Sequence, residues 1–147
     1  HYPPMPTQVK HNQIGMEHIL ITGLHYLLQD DKDEGKTNSG GLEVFLDDQW
    51  IPVPPTKNAF IVNIGDLYER WTNKRWTSTL HRVSNPPKDS EASKRSRRSM
   101  VFFTGPTFDA VIEPIRTCVD TDHPSLFKPI SAQEHLLLKI GLSVSNK

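Results

Sequence analysis

Apolar residues recur along the chain in short runs broken by proline, glycine and charged clusters, a pattern of many strands and few helices. The first run, "GMEHILITGLHYLLQDD" from Gly15 to Asp31, reads as a buried strand carrying His18 and His25. Leu42 to Phe45 and Trp50 to Val53 flank "LDDQ", which suits a hairpin whose second arm is ended by the prolines at 52, 54 and 55. Ala59 to Ile64 is a continuous apolar strand that stops at "GD", where Asp66 is placed to cap a helical turn over Leu67 to Trp71. Arg75 to Val83, Ser99 to Phe103 and Ala110 to Ile115 are predicted as three further strands. "SAQEHLLLKI" reads as a helix, because Ser131 and Glu134 stand at the spacing of a capping box ahead of the apolar run. The fold class this implies is mainly β, a sandwich or barrel with one C-terminal helix. "KDEGKTNSGG" and "PPKDSEASKRS" are short and well flanked, so they read as surface loops, not linkers.

Side chains alternate faces along a strand, and this sorts the polar residues. On an unbroken first strand His18, Leu20, Thr22, Leu24 and Tyr26 share one face, while His25 falls on the other with Ile19, Ile21 and Gly23. In "TSTLHRV" His81 faces the same way as Thr79 and Val83, a second strand histidine among small or apolar neighbours. In "RRSMVFF" Arg97, Ser99, Val101 and Phe103 point together, which sends a guanidinium and a hydroxyl into an apolar interior. A buried arginine needs an anion, and its planar fork fits a carboxylate held by two parallel hydrogen bonds with the serine assisting. Two strand histidines and an inward Arg-x-Ser read as a metal beside a carboxylic-acid pocket.

Composition narrows the class. Over 147 residues, 35% hydrophobic and 23% charged describe one domain able to bury a core with neither disulfides nor structural metal. Seventeen Lys and Arg balance 17 Asp and Glu, so no global field points to nucleic acid or an anionic membrane as a partner. The basic run Lys94, Arg95, Arg97 and Arg98 has no interleaved aromatic residues, and its loop members read as a solvated face. Cys118 is alone, so no internal disulfide is expected and nothing marks an oxidising compartment. With no apolar run of membrane-spanning length and no signal-like segment, a cytoplasmic location is expected. The chain opens at His1 directly into "HYPPMP" and is read as a C-terminal fragment of something longer. Trp50, Trp71 and Trp76 are expected as packing residues; His1, His11, His123 and His135 are given no role.

"HYPP", "LLQDD", "GGLEVF", "NIGDLYERWTN", "STLHRVSNPP" and "RRSMVFF" follow one another over nearly the whole chain. In that order they resemble the Fe(II)- and 2-oxoglutarate-dependent dioxygenases of the isopenicillin N synthase-like group. The resemblance implies a double-stranded β-helix, or jelly roll, with residues 1–147 as the jelly-roll domain and the family's largely helical N-terminal region absent. It implies Fe(II), 2-oxoglutarate as co-substrate, O2 and a small organic substrate. Residue by residue, it makes His18 the first iron ligand and His81 the last. It puts Arg97 and Ser99 on the distal carboxylate of 2-oxoglutarate, with Tyr2, ahead of Pro3, assisting. Two imidazoles and one carboxylate cover one face of such an iron, leaving three adjacent positions for the chelating oxo acid and O2.

The family's carboxylate ligand stands two residues after the first histidine, and here that position is Leu20. Leucine cannot coordinate a metal, and it fills the room a halide would need. Glu17 has the wrong parity to replace the carboxylate, as has His25 unless Gly23 introduces a bulge; Asp30 and Asp31 lie beyond the metal-side end of the strand. Three readings of Leu20 stand: a natural loss of activity, a sequence error in a working enzyme, or a weakened two-histidine site. The spacings from His18 to His81 and from His81 to Arg97 are long for the family, and the two hydrophilic loops absorb the excess at little cost in stability. Two function classes follow, an oxidoreductase that uses 2-oxoglutarate and O2, and an inactive jelly roll that keeps a carboxylate pocket or serves as a scaffold. Leu20 favours the second; Tyr2, Arg97, Ser99 and the paired histidines favour the first.

Overall fold

The computed structural model describes residues 23–30, 35–36 and 39–145, with side chains as far as residue 141. Tyr2, His18 and Leu20 lie outside the described residues. Among those described, the elements are β1 (Leu24–Gln29), β2 (Gly41–Leu46), β3 (Gln49–Pro52), β4 (Ile61–Ile64) and α1 (Asp66–Trp71). There follow β5 (His81–Ser84), β6 (Ser99–Phe103), β7 (Val111–Ile112), a 3-10 turn (Arg116–Cys118), β8 (Ile130–Ser131) and α2 (Ala132–Ser145). The strands form sheets ordered β4-β1-β6, β3-β2-β5 and β7-β8. The described residues fall into two compact units, one of Tyr26–Ile61 and Thr79–Phe102, the other of residues 23–25, 62–78 and 103–145.

In the first unit the expected hairpin forms around Asp47 and Asp48, both at positive φ (49° and 59°), the left-handed pair that a two-residue turn between twisted strands requires. Its register sets Phe45 opposite Trp50 and Leu46 opposite Gln49, and the two aromatic rings meet at 5.1 Å. Pro52 is tolerated because β3 lies at the sheet edge. On the other side β5 pairs antiparallel with β2, setting Gly41 against Ser84, Glu43 against Arg82 and Val44 against His81. Glu43 accepts from Arg82 Nε at 2.7 Å, and the Arg82 guanidinium stands 4.0 Å above the Trp50 ring. The apolar run beginning at Ala59 starts as a strand only at Ile61, because Asn58 adopts a φ of 56° and Ala59 N–H turns back to the Thr56 carbonyl at 3.3 Å.

In the second unit α1 is capped by the backbone at Gly65 with no side-chain cap, so Asp66 is not the capping residue the sequence suggests. It is the first helical residue, and it is buried. The strand expected over Arg75–Val83 is reduced to His81–Ser84. Asn73 and Lys74 turn at φ of 51° and 66°, after which Thr72 Oγ1 accepts from Trp76 N–H at 3.0 Å and Glu69 Oε2 from Ser78 N–H at 2.7 Å. A side chain of α1 and that of its C-cap thus take the backbone donors that a strand ladder needs. The run from Ala110 to Ile115 likewise shortens to Val111–Ile112: Ala110 N–H closes a turn on Thr107 O, and Ile115 N–H bonds Trp71 O.

At α2 the expected cap is present, with Glu134 N–H donating to Ser131 Oγ at 3.1 Å. Among the described residues the buried hydrophobics are Leu67, Ile112 and Ala132, with Trp71 and Ile130 packed against them. Trp76, expected as a packing residue, is half exposed and stacked on Tyr68 at 6.0 Å. The unit is closed by residues 80 positions apart. Leu24 N–H donates to Thr104 Oγ1 at 3.0 Å, and Thr104 returns Oγ1–H and N–H to Leu24 O at 2.7 and 2.9 Å.

Candidate active site

His81 opens β5 and is buried. Its Nδ1 lies 3.0 Å from the Thr79 carbonyl oxygen, which can only accept, so Nδ1 carries the proton, and in the matching neutral tautomer the lone pair is on Nε2. The pairing of β5 with β2 holds the ring in place: the ladder continues one step beyond the Val44–His81 pair as Phe45 N–H donates to Leu80 O at 2.8 Å. A backbone acceptor on one ring nitrogen is the usual arrangement behind a histidine metal ligand, since it fixes both tautomer and ring orientation.

Arg97 and Ser99 lie in the same unit as His81, both half-buried. Ser99 is the first residue of β6, where the expected alternation holds by degree: Met100 and Phe102 are 71% and 67% exposed, Val101 and Phe103 only 43% and 50%. Among the described residues the face shared with Arg97 and Ser99 is therefore the more sheltered one. The Arg97 side chain reaches β2, where its Nη1 lies against the Cα of Gly41. By contrast Lys94 is exposed and pairs with Glu91 at 2.8 Å, in keeping with a solvated basic loop.

His25 is almost completely buried, its ring edge-on to Phe103 at 4.8 Å. Among the described residues no group of three or more His, Cys, Asp or Glu side chains could hold a metal. The described donor set toward iron is accordingly one imidazole, His81. Its tautomer fits a metal ligand, and the guanidinium and hydroxyl of Arg97 and Ser99 fit a carboxylate by chemistry.

Two buried polar centres were not legible beforehand. Asp66 Oδ1 accepts from His135 Nε2 at 3.1 Å, and Lys139 Nζ pairs with Oδ2 at 2.8 Å. Burial pushes the Asp66 carboxyl up, but hydrogen bonds and charge from His135 and Lys139 outweigh it and hold the group below the usual carboxylate range. Asn73 uses its whole amide: Nδ2 donates to Cys118 O at 3.2 Å and Pro124 O at 3.1 Å, and Oδ1 accepts from Leu126 N–H at 2.9 Å. A polar residue after a helix is the signal that could have marked Asn73; His135 carries none, because its acceptor lies 69 positions away.

The fold and these residues describe a mainly β protein with a histidine at the start of β5 and an Arg-x-Ser pair at the start of β6, the class of the jelly-roll oxygenases. Neurospora crassa T7H, solved in complex with alpha-KG, superposes with a TM-score of 0.81 at 29% identity, covering 97% of this chain and 42% of that one. JOX2, solved in complex with 2OG, Fe and JA, does so with a TM-score of 0.71 at 35% identity, covering 84% of this chain and 33% of that one. The chain belongs to the 2OG-Fe(II) oxygenase superfamily, whose family model matches residues 1–106. Its curated relatives include the flavonol synthase/flavanone 3-hydroxylase of Matthiola incana, 33% identical over 141 residues, or 95% of this chain and 43% of that protein. Gibberellin 20 oxidase 2 of Oryza sativa subsp. indica is 38% identical over 124 residues, or 84% of this chain and 28% of that protein. The chain thus spans less than half the length of these relatives. No helix among the described residues is long and apolar enough to cross a membrane.

Proposed function

We propose that residues 1–147 are the jelly-roll domain of an oxidoreductase that couples oxidative decarboxylation of 2-oxoglutarate to hydroxylation, desaturation or cyclisation of a small organic substrate. In the hydroxylation case 2-oxoglutarate, O2 and a C–H bond give succinate, CO2 and an alcohol, one oxygen atom entering succinate and the other the product. His18 and His81 hold Fe(II), which when bound supplies the redox chemistry between oxo acid and O2. Arg97 and Ser99, with Tyr2, hold and orient the distal carboxylate; the guanidinium stays charged at any working pH. The observation that supports this reading is the 3.0 Å bond from His81 Nδ1 to Thr79 O, which makes Nε2 the atom that would take the metal. The relatives support it, being named for oxidations of small molecules.

Leu20 removes the anionic ligand, which leaves a two-histidine centre of weaker affinity. Anaerobic titration with Fe(II) and then 2-oxoglutarate tests the proposal, followed by the visible charge-transfer band of the chelate. A band that appears only with both additions is the expected result. No band, with 2-oxoglutarate still binding by calorimetry, overturns the enzyme in favour of a metal-free carboxylate-binding jelly roll; no binding of either overturns both.

A further inference from the structure

Gly41 begins β2 with a φ of +118°, a conformation L side chains rarely adopt, and its surroundings show a second reason for glycine. A methyl group on its Cα would collide with Nη1 of Arg97 and stand 3.3 Å from Cζ, with Gln29 Oε1 at 3.9 Å. The guanidinium occupies the space in which any other residue would carry its side chain. Gly40 is different: at φ +71° a Cβ there would strike the backbone of Asn85 and Pro86. The two glycines of "GGLEVF" therefore have separate tasks, one letting the chain pass Pro86, the other making room for an arginine. Gly41 is itself fixed, paired with Ser84 in the ladder and accepting Ser84 Oγ–H at its carbonyl at 3.4 Å.

We propose that Gly41 is a positioning residue for oxo-acid recognition: by lacking a side chain it sets where the Arg97 guanidinium rests, and so where the distal carboxylate of 2-oxoglutarate is held. This rests on the reading of Arg97 given above. A bidentate fork tolerates little displacement, and an added methyl moves it by about 1 Å, enough to cost up to about 100-fold where orientation is critical.

The test is calorimetric titration of 2-oxoglutarate, with Fe(II) and without O2, into the full chain and its Gly41→Ala, Arg97→Ala and double variants. Gly41→Ala is expected to weaken binding by about tenfold or more, and to add nothing in the Arg97→Ala background, where no guanidinium is left to displace. Gly35→Ala, at a φ of +70° with nothing within 4 Å of an added Cβ, controls for backbone strain and is expected to lower stability while holding affinity within about twofold. Wild-type affinity in Gly41→Ala, or an undiminished loss in the Arg97→Ala background, overturns the inference. Unchanged affinity in Arg97→Ala overturns the reading of Arg97 and the inference with it. If Gly41→Ala does not fold, the Hα resonances of Gly41 in the unsubstituted chain carry the test. They are expected to move on Arg97→Lys and on adding 2-oxoglutarate while those of Gly40 stay, and stationary Gly41 resonances overturn the inference.

Discussion

His135 Nε2 donates to Asp66 Oδ1 across 3.1 Å, and both side chains are buried, so α2 is tied to the first turn of α1 by a polar bond inside the second unit. The folded carboxyl is held below its ordinary value. Its contribution to stability is therefore complete above the unfolded pKa and is lost as pH falls through the folded one. The chain is expected to lose stability progressively below about pH 4, and Asp66→Asn to flatten that part of the profile, read from urea midpoints across the acid range. Asp66→Ala, which strips the buried His135 of its acceptor, is expected to cost about 3 kcal/mol at neutral pH.

Arg82 holds β5 to its sheet in two ways, by its 2.7 Å bond to Glu43 of β2 and by stacking over Trp50 of β3. Register matters here, because a slip by one residue sends His81 to the opposite face. Arg82→Lys keeps the charge but loses the planar stack, and is expected to destabilise by about 1 kcal/mol. A double-mutant cycle with Glu43→Gln is expected to give a coupling of about 0.5–2 kcal/mol in chemical denaturation; additive losses would show that the pair does not hold the register.

Asn73 joins the turn after α1 to the segment from Cys118 to Leu126 through three hydrogen bonds made by one buried amide. Asn73→Asp keeps the acceptor but faces two carbonyl oxygens with a carboxylate. Thermal unfolding is expected to show a loss of about 2–4 kcal/mol, larger at neutral than at acid pH.

Legibility in the sequence followed the range of the interactions involved. The hairpin around Asp47 and Asp48, the strand Ser99–Phe103 and the cap at Ser131 depend on neighbours a few positions away, and pattern alone places them. Arg75–Leu80 looked like strand because its apolar and polar residues alternate, but Thr72 and Glu69 take its backbone donors, a competition that alternation does not register. His81, Arg97 and Ser99 were singled out through parity and resemblance, and the structure puts them in one unit. Their surroundings were not readable: that the Arg97 guanidinium rests on Gly41 depends on two strands separated by most of the unit.

Leu20→Asp supplies the carboxylate missing from the proposed centre. Because loss of a supporting partner alone costs metal sites 10–100-fold, restoring a ligand is expected to raise Fe(II) affinity by at least about tenfold. Succinate formation without added substrate is expected to rise with it. Unchanged Fe(II) affinity in competition with a chelator would show that position 20 does not face the metal.

Thr104 and Leu24 close the second unit across 80 positions, which gives the chain a timetable. The β2–β3 hairpin can form within microseconds of leaving the ribosome, whereas Leu24 waits for Thr104 through about 4–16 s of synthesis at ordinary translation rates. Throughout that interval His25 lacks the ring of Phe103 beside it, and the edge of β1 that β6 covers stays unpaired. A nascent chain paused before Thr104 is consequently held with that edge open, and slow codons along that stretch are expected to lower yield while leaving every residue unchanged.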